Sequence, residues 1–600
     1  MSTLILNLDK WQSTLCRLTP VTLASASDGV HDCSLSMREI KHEFHPRVCT
    51  RVWAYVQTGH PVDEHYAGPL IETSLAGNAA ALRVLWKNEL VDKNLNDLLE
   101  FGARVGMEEF HMLTKSHNQI HMHGARVSGS SDGNPMETFH PNEAHGFFYR
   151  NEQPAALLWF HDHAMDVTRL NVYAGLYGAH VLRDLAEASV LPTGDHEIAM
   201  ILCDRSFVEG QHGALPKLFY EQAVENTQQD SSQSATWEAT PEFAGTFPVV
   251  NGKVWPKHTV QPTFNRLRLI NGANARIFYL SFFDDQNSSV KLPFDVVGTD
   301  GGFLPKPAIV KDTVRLAPGE RLDLVIDFTH LAGKRVVMSG PNLIDDPTQP
   351  PEINFLELVR FEVGSHCKGG SVPYAPSTGA SLPERVDHIS VGEFPDEAWF
   401  AKIAEVVHAT PFLPDTATIN VPNLGSLNLR RFVIKEDRKT IKGTVNTPAA
   451  SPGGMMKMTV ALPTGDPAIG QQIVVPMISV NGKSGIKIPL MKIKKDAVEV
   501  WEFINETVDT HPMHVHLVQF RALARKLIDT KTQAYGADVA IADYEKGWKD
   551  TIACLPGNDE TMSQATLVLM RFDGEIGQYV FHCHILEHED MGMMGSFIVE

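Results

Sequence analysis

The sequence predicts an all-β protein made of three consecutive copies of one β-sandwich unit. Two related tetrapeptides support this prediction, Val250-Asn251-Gly252-Lys253 and Val480-Asn481-Gly482-Lys483, because Asn-Gly between apolar runs is a strong hairpin signal. Apolar strands of similar composition follow each tetrapeptide and end at Asn271 and Asn505. A weaker relative of these strands, Val84-Leu85-Trp86-Lys87-Asn88, lies in the N-terminal third and indicates a third copy.

Length and composition are typical of a large globular protein. The 600 residues exceed what one hydrophobic core supports, so roughly two to four domains are expected. Hydrophobic residues make up 43% and charged residues 21% of the chain, which is ordinary for globular proteins. The excess of 72 acidic over 52 basic side chains gives a net charge of -20, which argues against nucleic acid and anionic membrane surfaces as partners. No run approaches the roughly eighteen apolar residues that a membrane span needs.

Cysteine content and the N-terminus bear on the compartment. Seven cysteines in 600 residues do not make a disulfide framework, although one bridge stays possible. Met1–Gln12 contains Asp9 and Lys10 within its apolar stretch and lacks a basic leader or a twin arginine. We therefore expect no signal peptide, and an intracellular location is favoured over secretion.

The C-terminal region contains the most specific motif, His582-Cys583-His584-Ile585-Leu586-Glu587-His588, which Met593 follows. Thiolate and thioether are soft ligands that suit copper, and imidazole suits both of its oxidation states. Cys583, His588 and a weak axial Met593, joined by one more histidine, would form the trigonal site that copper proteins use for electron transfer. In an extended strand His582 and His584 point away from Cys583, so one strand can serve two metal centres.

Three further motifs repeat the His-x-His spacing, which in a strand places both imidazoles on one face. They are His121-Met122-His123, His161-Asp162-His163 and His511-Pro512-Met513-His514-Val515-His516. The four motifs together supply ten histidines, one cysteine and one methionine. If His511 completes the site of Cys583, His588 and Met593, eight histidines remain. That number suits two metal ions with three ligands each and one with two.

Other interpretations apply to single residues of this set. An isolated His-x-His pair suits a structural or zinc site as well as copper, but four ordered pairs, one of them straddling a cysteine, exclude that interpretation. We expect Met591 and Met594 to be packing residues, because their offset from His588 differs from that of Met593. The Met455–Met458 cluster is expected to be a flexible apolar loop rather than an accessory copper site.

These four motifs resemble those of the multicopper oxidases. The run His582–Met594 is most similar to the spore-coat laccase, cuprous oxidase and bilirubin oxidase branch, and Trp159–Gly178 to the spore-coat laccase and phenoxazinone synthase side. The resemblance covers roughly 38–600 and includes four stretches without metal ligands: Val250–Pro256, Arg266–Arg276, Gly298–Pro307 and Ala317–Phe328. It implies that the sandwich units are cupredoxin-like Greek-key domains with short helical insertions.

The resemblance also implies four copper ions and the residues that hold them. A type 1 copper would be held by His511, Cys583, His588 and Met593, and a type 2 copper by His121 and His514. The ligands of a type 3 pair would be His123, His161, His163, His516, His582 and His584. Because the ligands of the type 2 and type 3 coppers come from both ends of the chain, their cluster is expected between the first and third domains.

Two acidic residues are candidate catalytic groups. Asp132 follows His123 by nine residues and Glu589 directly follows His588, positions at which similar oxidases carry acids near their oxygen channels. Carboxylates there would relay protons to the cluster. The alternative is that both are surface acids of a strongly acidic chain.

Composition suggests the domain limits. A loosely patterned arm, 1–37, precedes the first domain, 38–190, and the second domain follows at 191–363. The second domain is expected to bind no copper, because its strand Ile277-Phe278-Tyr279-Leu280 has no histidine. A linker rich in Gly, Ser and Pro, 364–384, leads to the third domain, 385–600. The long loop Ser128–Gln153 is expected to shape a channel beside the cluster.

The activity that the resemblance implies is that of a laccase. Single electrons would pass from phenolic, aminophenolic or bilirubin-like donors to the type 1 copper, and dioxygen would be reduced to water at the cluster. The acidic loop Glu506-Thr507-Val508-Asp509, just before His511, would favour cationic donors. A methionine axial ligand implies a moderate reduction potential.

Two alternatives stay open. A metallo-oxidase for Cu(I), Fe(II) or Mn(II) would share every copper ligand but would need an acidic or Met-rich pocket near the type 1 site. A non-catalytic cupredoxin scaffold would lack ligands, and none is missing. The expected partners are the small-molecule donor and dioxygen, the expected state is a monomer, and association with a spore coat is the other location considered.

Overall fold

A computed structural model gives the architecture of the chain. It describes residues 3–75, 81–101, 116–221, 223–226, 236–239, 242–341, 353–367, 372–378, 381–383, 397–409, 418–422, 425–437, 455–461, 490–532, 534–557, 561–590 and 592–600. Within these ranges the strands pair into six sheets of five to nine strands and one two-stranded hairpin. This confirms the predicted all-β architecture. None of the described helices is long and apolar enough to cross a membrane.

The first third of the chain forms two sheets around an aromatic core. Its elements are β1 Thr19–Pro20, β2 Ala24–Ser25, β3 His31–His45, β4 Val48–Gln57, β5 Pro69–Ser74, β6 Leu82–Asn88, α1 Leu95–Leu98, β7 Leu99–Phe101, β8 Ile120–His123, α2 Gly129–Asp132, β9 Ala144–Tyr149, β10 Ala156–Asp162, α3 Thr168–Ala174, β11 Tyr177–Arg183 and α4 Glu187–Val190. One sheet has the order β1-β5-β11-β10-β8, and the other is built on β2-β3-β6-β9 with β4 beside β3. Tyr55, Trp86 and Phe160 pack between the sheets, with ring centroids 5.2 to 5.6 Å apart.

Two segments differ from the expectations for this region. Residues 31–37, placed in the N-terminal arm, form the first half of β3 and pair in parallel with β6; their mixed polarity hid a strand that only partly faces the core. Ser128–Gln153, expected to be a loop, contains α2 and β9. In β9 the side chains of Phe147 and Tyr149 are buried while Phe148 is exposed, the alternation of a half-buried strand.

The middle of the chain forms a second pair of sheets. Its strands are β12 Glu197–Val208, β13 Lys217–Tyr220, β14 Ala223–Asn226, β15 Thr236–Ala239, β16 Phe247–Val250, β17 Lys253–Val254, β18 Lys257–Val260, β19 Phe264–Asn271, β20 Phe278–Asp284, β21 Asn287–Leu292, β22 Phe294–Thr299, β23 Gly302–Val310, β24 Val314–Leu316, β25 Arg321–Asp327, β26 Arg335–Ser339 and β27 Val359–Val363. The hairpin predicted at Asn251-Gly252 is confirmed. It joins β16 to β17, and both turn residues have positive φ, as a type I′ turn requires.

The last third forms a third pair of sheets. Its elements are α5 Glu397–Ala409, β28 Thr418–Val421, β29 Gly425–Asp437, β30 Met455–Ala461, β31 Leu490–Ile493, β32 Val498–Asn505, β33 His511–Val515, β34 Phe520–Asp529, β35 Tyr535–Val539, β36 Thr551–Cys554, β37 Met562–Arg571, β38 Gly577–Cys583, α6 Leu586–Asp590 and β39 Met594–Val599. The smaller sheet has the order β31-β39-β38-β33-β36. Trp501 and Phe432 pack against Phe581 of β38 from the other sheet, with ring centroids 5.1 and 4.8 Å away.

Three expectations concern this region and the segment before it. The second Asn-Gly tetrapeptide, residues 480–483, lies outside the described residues. Met455–Met458, expected to be a loop, belongs to β30, which pairs with β29; pairing with a neighbouring strand outweighs the weak strand preference of methionine. The described parts of 364–384 contain a short helical turn at Ala375–Thr378, and Tyr374 donates a hydrogen bond to Asp295 at 2.6 Å.

Candidate metal centres

Strand register brings the four histidine motifs together in two pairs. In the first sandwich β8 and β10 are antiparallel neighbours, and His121 lies opposite His161. In the third sandwich β33 and β38 are antiparallel neighbours, and His514 lies opposite His582. Residues opposite each other in antiparallel strands project to the same face of the sheet. Each sandwich therefore presents histidines from both of its motifs on one side.

The two sets of histidines meet in one buried cluster. The Nε2 atoms of His121 and His514 lie 3.3 Å apart. His516 Nε2 lies 3.2 Å from His163 Nε2 and 3.3 Å from His582 Nε2. The donor atoms of a third group are all within 4.8 Å of one another, and its members are His123, His161 and His584. The cluster therefore lies between the first and third sandwiches and contains all eight predicted histidines.

Burial favours the neutral form of several of these imidazoles. All eight side chains are at most 1% exposed. Burial, followed by neighbouring imidazoles, lowers the pKa of His163 to about 3, and burial has the same effect on His582, whose pKa is also about 3. The pKa values of His121 and His161 are lowered well below their usual range for the same reasons. Neutral imidazoles offer lone pairs to a metal ion.

Backbone carbonyls fix which ring nitrogen carries the proton. Four histidines donate from Nδ1 to a carbonyl oxygen, which leaves the Nε2 lone pair for a metal. The pairs and their distances are His121 to Asp132 at 2.8 Å, His161 to Asp162 at 2.8 Å, His514 to Asp550 at 2.9 Å and His582 to Cys583 at 2.9 Å.

The residues present fit copper. His123 Nδ1, His161 Nε2 and both ring nitrogens of His584 are buried and have no hydrogen-bond partner in the described part of the chain. Unsatisfied buried nitrogens cost free energy, and here they converge within one group. A metal ion that accepts several neutral imidazoles satisfies them together.

The second centre lies around Cys583. The Sγ atom of Cys583 is 3.7 Å from His511 Nδ1 and 3.6 Å from His588 Nδ1. Met593 is buried, and its backbone is hydrogen-bonded to both Cys583 and His588, at 3.0 and 2.9 Å. One thiol, two imidazoles and an adjacent thioether form the soft donor set of an electron-transfer copper site. Met594 packs against Met165 and Val580 instead, whereas Met591 lies outside the described residues.

Helix α6 connects the two centres to their surroundings through four consecutive side chains. Glu587 accepts hydrogen bonds from Tyr220 at 2.7 Å and Asn274 at 2.8 Å, His588 faces Cys583, and Glu589 faces the cluster. Asp590 accepts from Arg169 Nη1 at 2.7 Å and from the amides at the start of α3. Helix α6 of the third sandwich is therefore hydrogen-bonded to both other sandwiches. Its partners are α3 in the first sandwich and Tyr220 and Asn274 in the second.

Both predicted acids are buried beside cluster histidines. Asp132 Oδ2 accepts a hydrogen bond from His516 Nδ1 at 2.7 Å, and Glu589 Oε1 lies 3.0 Å from His163 Nδ1. Burial raises the pKa of both carboxyl groups. The alternative that they are surface acids is therefore wrong.

A buried ion pair lies beside the cluster, and the sequence did not predict it. Asp550 Oδ1 lies 3.0 Å from His123 Nε2, and Arg321 Nη1 of the middle sandwich donates to Asp550 at 2.7 Å. Burial opposes the charged form, but Arg321 and then His123 hold the pKa of Asp550 well below its usual range. Gly319, with φ of +81°, allows the same loop to approach His584, because a Cβ atom there would lie 2.6 Å from the ring. The middle sandwich therefore supports the cluster without supplying a predicted ligand.

A second missed residue is Glu242, whose Oε1 lies 3.5 Å from His588 Nε2. Its side chain is 35% exposed, so it lies between the Cys583 centre and solvent. The second imidazole of the Cys583 centre also has a partner, because His511 Nε2 is 2.7 Å from Thr507 Oγ1. Neither motif spacing nor periodicity pointed to these contacts, because both belong to irregular segments.

Comparison with known proteins agrees with this geometry. Family models described as multicopper oxidase match residues 101–187 and 458–600. A laccase of Bacillus stratosphericus is 29% identical over 561 residues, covering 91% of this chain and 90% of that protein. A laccase of Bacillus subtilis is 28% identical over 578 residues, covering 93% and 92%. Among solved structures, the Campylobacter jejuni multicopper oxidase, described as a metallo-oxidase, has a TM-score of 0.64 at 20% identity and covers 100% of this chain and 99% of that one. The fold likeness confirms the cupredoxin-like character of the sandwiches.

Proposed function

We propose, from the premise that this chain is a multicopper oxidase, that it works as a laccase: organic donors give single electrons at the Cys583 centre, and dioxygen is reduced at the histidine cluster. One observation carries the proposal. The tripeptide His582-Cys583-His584 places its cysteine in one buried donor group and its histidines in the other. The covalent chain alone therefore joins the two groups.

The cofactor is four copper ions. We propose that His511, Cys583, His588 and Met593 hold the type 1 ion and that His121 and His514 hold the type 2 ion. The type 3 pair would be held by His123, His161, His163, His516, His582 and His584. When bound, copper supplies one-electron redox chemistry, and four such ions match the four electrons that dioxygen needs to become water.

The chain itself would supply protons and orientation. We propose that Asp132 and Glu589 carry protons to the cluster, because each carboxyl group is buried within 3.0 Å of a cluster imidazole. The hydrogen bond to Asp132 also orients His516, and Glu589 lies beside the outer nitrogen of His163. Because both carboxyl groups lie beside the outer nitrogens of these imidazoles, we propose that a proton passes from them to a reacting oxygen through bridging water.

An organic donor is favoured by the surface next to His511. Val508 is 70% exposed and directly follows Thr507, which contacts His511 Nε2. An exposed apolar side chain at this place provides a contact for an aromatic ring. The neighbouring Glu506 and Asp509 add negative charge, which supports a preference for cationic donors such as aminophenols.

A metallo-oxidase is the second candidate, and Glu242 favours it. A carboxylate 3.5 Å from His588 Nε2 is an oxygen ligand that suits Fe(II) or Mn(II). The side chains of Met455–Met458 lie outside the described residues, so this candidate depends on Glu242 alone.

One set of measurements separates these functions. The purified protein is analysed for copper content and visible absorption, and oxygen uptake is then compared for a panel of phenols, aminophenols, Cu(I) and Fe(II). We expect a strong thiolate-to-copper absorption band and faster uptake with aminophenols than with either ion. No such band would contradict the type 1 assignment, and faster uptake with the metal ions would favour the second candidate. Glu242→Gln should then slow the metal ions and leave neutral phenols unchanged.

The domain limits at 190/191 and 363/364, the copper-free middle domain and the monomeric state stay predictions. Limited proteolysis should cut first within 364–384 if that segment is a linker. Light scattering measures the mass directly, and a dimer would contradict the monomer.

A further inference from the structure

A cavity outside both metal centres lies between the first and middle sandwiches. It has a volume of about 30 Å³, which is room for more than one water-sized molecule. Its walls come from β3, β4 and α3 on one side and from β12 and the Asn251-Gly252 turn on the other. Most of these walls are apolar. Arg205 and His42 line it together with three tyrosines, Tyr66, Tyr173 and Tyr177.

Arg205 differs from the other deeply buried arginines of the described chain. Six arginines rank among the largest fully buried side chains, and five of them form an ion pair with a carboxylate. These five are Arg266 with Asp323, Arg268 with Glu197, Arg276 with Asp204, Arg321 with Asp550, and Arg525 with Glu545. Arg205 has no carboxylate within ion-pair distance among the described residues. A buried charge without a counterion is costly.

The contacts of Arg205 are all to neutral groups. Its guanidinium donates to the carbonyl oxygens of Asp204 at 2.7 Å and Val172 at 3.1 Å. It also lies over the ring of Tyr173, 4.5 Å from the centroid. The neighbouring Asp204 carboxylate is engaged by Arg276 at 2.8 Å and by the amide of Gly245 at 2.7 Å. Among the described residues, the guanidinium at the cavity wall therefore has no carboxylate of its own.

His42 supplies a complementary group. Its Nε2 atom donates to the carbonyl oxygen of Gly252 at 2.7 Å, and its Nδ1 atom is buried without a hydrogen-bond partner among the described residues. Since Nε2 carries the proton, Nδ1 of the neutral ring is an acceptor. The hydroxyl groups of Tyr66, Tyr173 and Tyr177 are used in contacts with other protein atoms. A ligand in this cavity would therefore meet one cation and one hydrogen-bond acceptor.

We propose that Arg205 and His42 form a binding site for a small monovalent oxyanion that carries one hydroxyl group, of which hydrogencarbonate is the simplest. Its charged oxygens accept from the guanidinium fork, and its hydroxyl donates to His42 Nδ1. The small volume excludes organic acids of drug size. Because the walls belong to two sandwiches, the bound anion stabilises their contact and adds to the stability of the folded chain.

The test is thermal unfolding of the copper-loaded full chain at fixed pH and ionic strength, with hydrogencarbonate replacing gluconate, which is too large for the cavity. We expect the Tm to rise with hydrogencarbonate concentration and to level off. In Arg205→Met the rise should disappear when it is measured against the Tm of the same variant in gluconate, because this reference already includes the loss of the hydrogen bonds to Asp204 and Val172. In His42→Phe the rise should shrink.

Arg276→Met is the matched control, because it removes a buried arginine that already has a carboxylate. Its Tm should fall in both anions and its rise with hydrogencarbonate should remain. No rise in the unmodified chain, or an equal rise in Arg205→Met, would overturn the site. An equal rise with bromide that is unchanged in His42→Phe would overturn the assignment to a hydroxyl-bearing oxyanion. If Arg205→Met does not fold, the ¹³C NMR signal of labelled hydrogencarbonate tests the same binding. The signal should broaden in the presence of the unmodified chain and broaden less with His42→Phe, and no broadening with the unmodified chain would overturn the site.

Discussion

The two metal centres use the same strand but are held in different ways. At the cluster the outer nitrogens of seven histidines lie next to backbone carbonyls or buried carboxylates, and all eight side chains are at most 1% exposed. At the Cys583 centre the outer nitrogens of His511 and His588 contact Thr507 and Glu242, side chains that are partly exposed. One centre is therefore enclosed, whereas at the other centre only the side chains of Thr507 and Glu242 cover the outer nitrogens of the two imidazoles. This is the arrangement expected if one centre handles dioxygen and the other meets donors of varied shape.

The largest effect that separates the two centres is expected from Cys583→Ser. The variant removes the thiolate from one donor group and leaves the eight histidines of the other intact. We expect copper content to fall from four to three ions per chain, the thiolate absorption band to vanish, and oxygen uptake with every donor to stop. Loss of the cluster coppers as well would show that the two centres do not load independently.

The next effect concerns the buried pair that supports the cluster from the middle sandwich. Arg321→Met leaves Asp550 buried without its cation, which should lower the free energy of unfolding by about 3–5 kcal/mol and reduce copper retention at the cluster. Thermal unfolding and copper analysis after dialysis measure both effects. Arg525→Met is the control, because Arg525 donates to Glu545 at 2.8 Å through two nitrogens and neither residue contacts a cluster histidine. It should lose similar stability but keep its copper, and equal copper loss in both variants would contradict a specific role for Arg321.

A smaller effect is expected from Glu589→Gln, which keeps the shape of the side chain. It removes the ionisable carboxyl group beside His163 and His582, so reoxidation by dioxygen should slow about 10- to 100-fold. Anaerobic reduction of the type 1 copper by a donor should keep its rate. Stopped-flow absorption follows both steps separately. Glu587→Gln on the same helix is the matched control: its partners are Tyr220 and Asn274, so reoxidation should be unchanged, and equal slowing in both variants would refute the proposed role of Glu589.

Strand periodicity explains why the metal donors were predictable from the sequence. In extended strands a spacing of two residues places His121 and His123 on one face, and the alternation around Cys583 directs its neighbours to the opposite side. These are local rules, and the described structure follows them. The hairpin at Asn251-Gly252 was predictable for the same reason, since both turn residues need positive φ.

The supporting residues were not predictable, because their contacts are not local. Arg321 and Asp550 are separated by 229 residues, and each lies in a stretch with no unusual spacing or composition. Their pairing depends on how the middle sandwich docks against the other two. The buried state of Asp132 has the same origin: sequence spacing placed it near His123, but only the packing of α2 against β38 removes it from solvent.

The smallest effect is expected at the more exposed Cys583 centre, in the acidic loop before His511. Asp509 is half-buried next to the apolar Val508, and its charge attracts cationic donors by about 1 kcal/mol at short distance in water. Asp509→Asn should therefore raise the KM for cationic aminophenols roughly fivefold and leave kcat and the KM for neutral phenols unchanged. The difference between the variant and the unmodified chain should shrink as salt is added, since exposed charges are screened. Steady-state oxygen uptake with matched cationic and neutral donors measures this. Equal changes in KM for both donor classes would mean that the loop acts through its shape. The proposal that negative charge beside the exposed centre selects cationic donors would then be wrong.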